Sequence, residues 1–174
     1  MNKLPHITIN TERLLLRPLT ALDKSGFAQL LMNKVIAKTF MIPSFARKED
    51  YLELAAKIIS DGINQSHLAY GIYLGDILIG FMNDCGFDDE EMEIGYALDP
   101  DYWNKGYMSE ALKAMIAELF AFGFKRIVAG YFEDNPASGK VMEKCLMKRT
   151  EHKETIEYQG KKHKCLYMEI GRKD

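Results

Sequence analysis

The sequence predicts an α+β protein of sandwich-like architecture, in which a central mixed, mostly antiparallel sheet of about seven strands is flanked by about four helices. Short segments of alternating polar and apolar residues follow one another between residues 68 and 98, which is typical of an antiparallel meander. Apolar residues at helical spacing occur both before and after this stretch. A strand, helix, strand succession from residue 91 predicts one parallel pair joined by a crossover.

The first third of the chain is expected to hold one strand and two helices. Alternation from Ile7 and the apolar run at 14–16 predict a strand that ends before Pro18. Thr20 and Asp23 form a Thr-x-x-Asp capping pattern ahead of an apolar stripe, which indicates a helix. A second helix is expected from about 47 to 63.

The remaining elements alternate between strands and helices. A long helix is predicted from near Gly106 to a stop at Gly123, and a short one from Asn135–Pro136 to about Cys145, because asparagine and proline favour a helix start. A turn at Gln159–Gly160 separates the last two strands. The remaining strands are expected at residues 68–74, 77–84, 91–98, 127–132, 147–157 and 162–170.

Composition narrows the function classes. The 174 residues, 47% of them hydrophobic, are expected to form one domain spanning 1–174. A net charge of -2 argues against nucleic-acid or anionic-membrane partners, and no apolar run is long enough for a signal peptide or a membrane span. Three separated cysteines predict reduced thiols and a cytoplasmic location, and four scattered histidines give no expectation of a metal site.

The segment 103–109 has the features of an anion site. Gly106 stands where a helix begins, and a glycine there lets backbone N–H groups approach a phosphate closely. Lys105 is the segment's formal charge, and Glu110 is the first acid of the helix. An alternative remains: Gly106 eases a bend and Lys105 is a solvated surface charge.

These residues resemble the GNAT superfamily of N-acetyltransferases, whose signature Q/R-x-x-G-x-G/A aligns with residues 103–108. The longer string from Ile94 to Leu112 resembles the RimJ/RimL-like branch that acetylates N-terminal residues of ribosomal proteins. The segments 11–18 and 135–138 and the pair Glu143–Lys144 are similar to that branch as well. The resemblance implies a GNAT fold in one N-acetyltransferase domain, with acetyl-CoA as co-substrate and no metal.

The sequence departs from the branch at three positions. Asn104 stands where glycine is usual, and Met108 where alanine or glycine is usual. Leu146 replaces a glycine that often caps the short helix, so that helix is expected to end in a different conformation. Backbone contacts to the anion survive if the first two side chains point away.

The resemblance implies which residues contact the coenzyme. The strand ending at Leu98 would hold the pantetheine arm through its backbone, and a main-chain N–H there would polarise the thioester carbonyl. Asn135 would contact the same arm, although it also suits a helix cap. The full expected set is Tyr96, Ala97, Leu98, Asn104, Lys105, Gly106, Tyr107, Met108, Ser109, Asn135 and Ser138.

Two residues are candidates for proton transfer. Related enzymes often protonate the leaving sulfur with a tyrosine, but the corresponding position here is Met142, so Ser138 or an ordered water is the expected donor. Glu93 shares a strand face with Gly95 and is the expected base, although Glu91 shares that face and water is an alternative. Tyrosines in the predicted strands are interpreted as packing residues.

Several questions of function stay open at this level. The acceptor is expected to be a primary amine, either a protein N-terminus or a small amine. A coenzyme-binding module with little or no catalysis is the alternative, motivated by Met108 and Met142. A larger acyl donor is a further option, and an exposed edge in the final hairpin leaves a homodimer open.

Overall fold

A computed structural model describes residues 3–172, and its strands form one continuous sheet. In that range eight strands pair in the order β1-β2-β3-β4-β5-β6-β8-β7. Neighbours are antiparallel except for β5 and β6. The strands are β1 Ile9–Asn10, β2 Leu15–Pro18, β3 Ala69–Leu74, β4 Ile77–Phe87, β5 Glu91–Leu98, β6 Arg126–Phe132, β7 Lys148–Tyr158 and β8 Lys161–Gly171.

Helices cover both faces of this sheet. They are α1 Lys24–Met32, α2 Lys48–Ile63, α3 Tyr107–Phe122 and α4 Pro136–Lys144. Helices α1 and α2 pack together on one face, in a buried cluster with Phe81 and Ala97. Helices α3 and α4 bury their apolar residues on the other face, against Met92 and Ile94. The predicted sandwich-like α+β class with a mixed sheet is therefore confirmed.

The predicted strand 7–17 is instead two short strands. Residues 11–14 form a turn, in which the Thr11 Oγ accepts the Leu14 N–H at 2.9 Å and the Thr11 N–H donates to the Leu14 carbonyl at 2.9 Å. Pairing of Ile9 with Leu16 then folds β1 back along β2. The continuous alternation hid this turn, because threonine closes it without a glycine or proline.

The predicted crossover produces a parallel pair of limited extent. Strands β5 and β6 pair through Glu91–Arg126, Met92–Ile127 and Glu93–Val128. In the described residues no further pair joins them, although β5 continues to Leu98 and β6 to Phe132. The two strands therefore part into a notch beyond Glu93 and Val128, and backbone groups of β5 face this notch without a partner strand.

Strand β7 forms the outer edge of the sheet. Its register against β8 is interrupted between Arg149 and Lys153, and its residues are largely exposed and often charged. A bulge and lysines on an edge hinder pairing with a further strand. These features disfavour a homodimer built by strand pairing at this edge.

Helix α4 ends at a leucine in the left-handed conformation. Leu146 has a φ of 64° and is 68% exposed. Its N–H donates to the Glu143 carbonyl at 3.0 Å, and the Met147 N–H donates to Met142 at 3.1 Å. This is the Schellman pattern that glycine normally closes. The expectation of a different helix ending is wrong, because Leu146 adopts the glycine geometry despite its Cβ.

We predict that Leu146→Gly stabilises the protein by about 1 kcal/mol, because it removes the steric cost of a Cβ at positive φ. The side chain is mostly exposed, so little burial is lost. Thermal unfolding should show a midpoint about 2–4 °C higher. Leu146→Ala keeps a Cβ and serves as the matched control, with an expected change near zero. A Leu146→Gly midpoint at or below the wild-type value would contradict the strain argument.

Candidate active site

A cavity of about 480 Å³ occupies the notch between β5 and β6. Its walls include the open stretch of β5 from Ile94 to Leu98 and the end of β6 from Gly130 to Phe132. The beginning of α3, one side of α4 from Ala137 to Lys144 and residues of the segment 36–42 also line the cavity. We call the segment 36–42 the strap. The notch thus connects the α3–α4 side of the sheet with the strap side.

The entrance to α3 is a loop with two residues at positive φ. Asn104 has a φ of 60° and Gly106 a φ of 80°, and Gly106 is the residue that precedes the helix. Asparagine is among the residues that tolerate this conformation best, which explains how Asn104 stands in for glycine. The first N–H groups of a helix have no intrahelical partner, so the first turn of α3 offers donors at the cavity wall.

Met108 lies in that first turn but points into the core. Its side chain is 7% exposed and belongs to the apolar cluster under α3. The backbone N–H groups of the loop are therefore not covered by the Met108 side chain. The departure from alanine or glycine at this position does not fill the space in front of the helix N-terminus.

Glu110 and Arg13 hold this loop from the outside. One Glu110 oxygen accepts the Thr11 hydroxyl at 2.6 Å and the Arg13 N–H at 2.9 Å, and the other accepts Arg13 Nε at 2.7 Å. Arg13 also donates to the Lys105 carbonyl at 3.0 Å and lies 4.6 Å from the Tyr107 ring centroid. Although partial burial opposes it, hydrogen bonds from Thr11 and Arg13 lower the pKa of Glu110.

Because Glu110 is neutralised in this way, it does not oppose an anion at the helix N-terminus. The ion pair carries no net charge, so the positive potential at this position comes from the helix dipole. Lys105 does not line the cavity and donates to the Asp101 carbonyl at 2.9 Å. Arg13 therefore acts on the loop by cancelling the Glu110 charge and by holding the Lys105 carbonyl.

Trp103 fixes the loop to the end of β5. Its indole N–H donates to the Leu98 carbonyl at 2.7 Å. The turn at Pro100–Tyr102 is closed by Asp99, whose carboxylate accepts the Asp101 N–H at 3.0 Å. The strand end and the helix start are thereby held in one arrangement.

The start of α4 brings a hydroxyl pair into the cavity. The Tyr96 O–H donates to the Ser138 carbonyl at 3.1 Å, and its oxygen lies 2.9 Å from Ser138 Oγ. Burial raises the pKa of Tyr96, so the phenol stays neutral. A Cβ on Gly139 would lie 2.9 Å from the Tyr131 ring, so glycine there lets α4 approach β6 closely. The Asn135 side chain makes no capping bond and lines the cavity.

Glu93 is the carboxylate of the cavity lining on the strap side. Burial raises its pKa, and the charges of Glu154 and Glu91 raise it further. Glu91, which shares its strand face, is instead ion-paired with Arg126. A carboxyl group with a raised pKa in a cavity accepts and releases a proton at a higher pH than an exposed glutamate does.

The strap packs against the face of β5 that carries Gly95 and Glu93. A Cβ on Gly95 would come within 3.0 Å of the Phe40 ring and 2.9 Å of Cys85 Sγ. Cys165 lines the same space from β8, and burial raises the pKa of its thiol. Both cysteines are free, as is Cys145.

The notch brings most of the predicted site residues together. Glu93, Tyr96, Ala97, Leu98, Asn104, Gly106, Tyr107, Met108, Ser109, Asn135 and Ser138 all line the cavity, whereas Lys105 does not. Sequence reasoning missed Arg13, Phe40 and the tyrosine hydroxyls. Met142, at the position of the tyrosine found in related enzymes, is fully buried in the core.

Residues 3–172 also bear on two other kinds of site. None of the helices there combines the length and apolar character of a membrane-spanning segment. The same residues contain no cluster of three or more histidine, cysteine or acidic side chains able to hold a metal ion.

Strands β5 and β6 part, with a helix N-terminus on one side of the sheet and a carboxyl group on the other. This arrangement suits an extended anionic ligand that lies in the notch between the two strands. The Acetyltransferase (GNAT) domain model matches residues 13–148. The chain therefore belongs to the GNAT acetyltransferase family, as the resemblance of residues 94–112 had predicted.

Similar proteins and solved structures support the assignment to this family. The uncharacterized N-acetyltransferase YoaA of Bacillus subtilis is 26% identical over 139 residues, which cover 77% of this chain and 78% of the relative. A GNAT-family acetyltransferase from Bacillus anthracis is 27% identical with a TM-score of 0.81, covering 95% of this chain and 98% of that one. RimL, a ribosomal L7/L12 alpha-N-protein acetyltransferase solved with coenzyme A, shares the fold at 20% identity, with a TM-score of 0.83 and coverage of 95% and 98%.

We predict that Arg13→Gln weakens coenzyme A binding about tenfold, because the loop loses its support and Glu110 is left unneutralised beside the anion position. Titration calorimetry of the purified protein with coenzyme A measures this. Arg47→Gln is the matched control, since it breaks an exposed ion pair with Asp50 on α2, away from the cavity. Equal affinities for the two variants would contradict the role assigned to Arg13.

Proposed function

We propose that the chain is an acetyl-CoA-dependent N-acetyltransferase, with one catalytic domain spanning 1–174, that acetylates a primary amine by direct attack on the thioester. The acceptor is a protein N-terminus or a small amine. The observation that carries the proposal is the notch, which connects an anion-binding helix start on one side of the sheet to Glu93 on the other.

The residues on the α3–α4 side suit the donor. N–H groups at the start of α3, kept accessible by Gly106 and by the buried Met108, would hold the pyrophosphate. The backbone of β5 beyond Glu93, which has no partner in β6, would hold the pantetheine arm, with the Leu98 carbonyl excepted because it already accepts the Trp103 indole N–H. The Asn135 side chain makes no capping bond and is free to contact the same arm. When bound, the donor supplies the acetyl group and a thiolate leaving group. RimL, solved with coenzyme A, supports this donor by its shared fold.

Glu93 would remove the proton of the acceptor amine. It lies on the strap side of the notch, and its raised pKa places proton uptake closer to neutral pH than for an exposed glutamate. The pairing of Glu91 with Arg126 leaves Glu93 as the carboxylate available for this role on the β5 face.

Ser138 would protonate the departing sulfur. Its hydroxyl lines the cavity and lies 2.9 Å from the Tyr96 oxygen, and the proton that Ser138 Oγ gives up is replaced from solvent. The neutral Tyr96 phenol thus positions Ser138. Met142 has no proton to give and packs in the core.

The cellular setting belongs to this proposal. The described residues hold three free cysteines, which fits a reducing compartment, and we propose a cytoplasmic enzyme without metal.

A coenzyme-binding module with little or no catalysis is the second candidate. It is favoured by the buried Met142, which stands at a position where related enzymes often hold a tyrosine. The two candidates differ in one measurement, the release of free thiol from acetyl-CoA in the presence of amines.

We predict thiol release by the wild-type protein with at least one acceptor from a panel of peptides and small amines, and a roughly 10²-fold lower kcat for Ser138→Ala. Coenzyme A affinity should change little in this variant. Ser44→Ala, an exposed serine outside the cavity, is the control. Tight coenzyme binding without turnover by the wild-type protein would favour the binding module.

We predict that Glu93→Gln lowers kcat/KM about 10²-fold and removes the acid limb of the pH profile. A base acts when deprotonated, so wild-type activity should fall as the pH drops through the raised pKa of Glu93, above the ordinary value of about 4.3. Glu91→Gln is the matched control. It should keep the acid limb but move it to lower pH, because the Glu91 charge raises the pKa of Glu93. An unchanged limb in Glu93→Gln would exclude Glu93 as the base.

A further inference from the structure

The hydroxyl of Tyr158, supported by the Gln159 side chain, attaches the strap to the last hairpin. Tyr158, at the end of β7, donates to the Ala37 carbonyl at 2.7 Å and accepts the Ile42 N–H at 3.2 Å. The neighbouring Gln159 side chain donates to the same Ala37 carbonyl at 3.2 Å. These hydrogen bonds join segments that are more than a hundred residues apart in sequence.

The position of the strap determines how much space lies between Phe40 and strand β5. Phe40 lies over Gly95, where a Cβ would come within 3.0 Å of its ring, and it packs edge-on against Phe81 at 5.1 Å. On the hairpin, the Tyr158 ring contacts Phe132, with centroids 6.1 Å apart. An amine that reaches Glu93 from this side must therefore pass between the strap and the sheet.

Most residues that line this passage are apolar or aromatic. Among the described lining residues on the strap side, Glu93 is the charged one, and Thr39 and Asn83 are polar without charge. The others are Ile36, Phe40, Met41, Cys85, Phe132, Ile156, Cys165 and Tyr167. The lysines of the lining, Lys140 and Lys144, lie on α4 on the opposite side. Apolar walls favour an apolar ligand and penalise a second charge.

We infer that the acceptor is a primary amine carried on an apolar or aromatic group, and that Tyr158, by holding the strap against the face of β5 that carries Glu93, is the positioning residue for this acceptor. The inference rests on the proposed N-acetyltransferase activity. Glu93 receives the amino group, and Phe40 with its apolar neighbours receives the group attached to it.

The first part of the test compares acceptors of similar length with the wild-type protein. Isopentylamine and 2-phenylethylamine should show kcat/KM values about tenfold or more above those of putrescine and β-alanine, which carry a second charge. Phe40→Leu keeps the strap but removes the ring, and it should reduce the preference for 2-phenylethylamine over isopentylamine. Equal use of charged and apolar amines overturns the assignment of acceptor class.

The second part tests Tyr158→Phe, which removes the hydroxyl and keeps the ring. The KM for isopentylamine should rise about tenfold while the KM for acetyl-CoA and the coenzyme A affinity stay unchanged, and hydrogen exchange of residues 36–42 should accelerate. Tyr51→Phe is the matched control. Its hydroxyl also accepts an N–H from the chain following the strap, at Phe45, which does not line the cavity.

The outcomes separate the two proposals. No thiol release by the wild-type protein with any amine overturns the proposed activity, and this inference with it. Turnover with an unchanged acceptor KM in Tyr158→Phe overturns the positioning role alone. A Tyr158→Phe protein that has lost coenzyme A affinity as well would show a general structural role, and this also overturns the inference.

Discussion

The parting of β5 and β6 is the constraint on which the rest of the molecule depends. Three residue pairs join these parallel strands, and beyond Glu93 and Val128 each continues without the other. Backbone donors and acceptors on an unpaired strand need a partner, and within a cavity that partner is a ligand. The helix starts at Gly106 and Pro136 converge on the same gap from one side, and the strap covers it from the other.

The N-terminus of α3 is suited to the proposed anion because the nearby Glu110 is neutralised by Arg13. An acid in the first turn of a helix ordinarily competes with an anionic ligand for the positive end of the dipole. Glu110 is in that turn, yet it is bound by Thr11 and by Arg13, whose guanidinium also grips the loop. The β1–β2 turn therefore contributes to a site that lies almost a hundred residues away in sequence.

Much of this arrangement was accessible from the sequence. Alternation and helical spacing predicted the strands from residue 68 onward, and the asparagine and glycine signals predicted the starts of α3 and α4 within a residue. The pattern failed at residues 7–17, where a threonine closes a turn without breaking the alternation. It also failed at Leu146, because local rules assign the left-handed conformation to glycine, whereas hydrogen bonding at the end of α4 imposes it on leucine.

The parts of the site that escaped prediction depend on long-range contacts. From the local sequence alone, Arg13 is interpreted as an exposed strand residue and Tyr158 as an aromatic residue that packs beside a turn. Their roles follow from partners at Glu110 and in the strap, which no local spacing reveals. Backbone groups of β5 leave no side-chain signature either, so the resemblance of residues 94–112 was needed to point to them.

The strand order has a consequence for how the site comes into being. Strand β6 is held by seven residue pairs with β8 but by three with β5, and β8 is the last strand along the chain. One wall of the notch is therefore supported mainly by a strand that is synthesised after the other seven described strands. A nascent chain emerging from the ribosome would carry the helix N-terminus of α3 well before it could present a complete cavity.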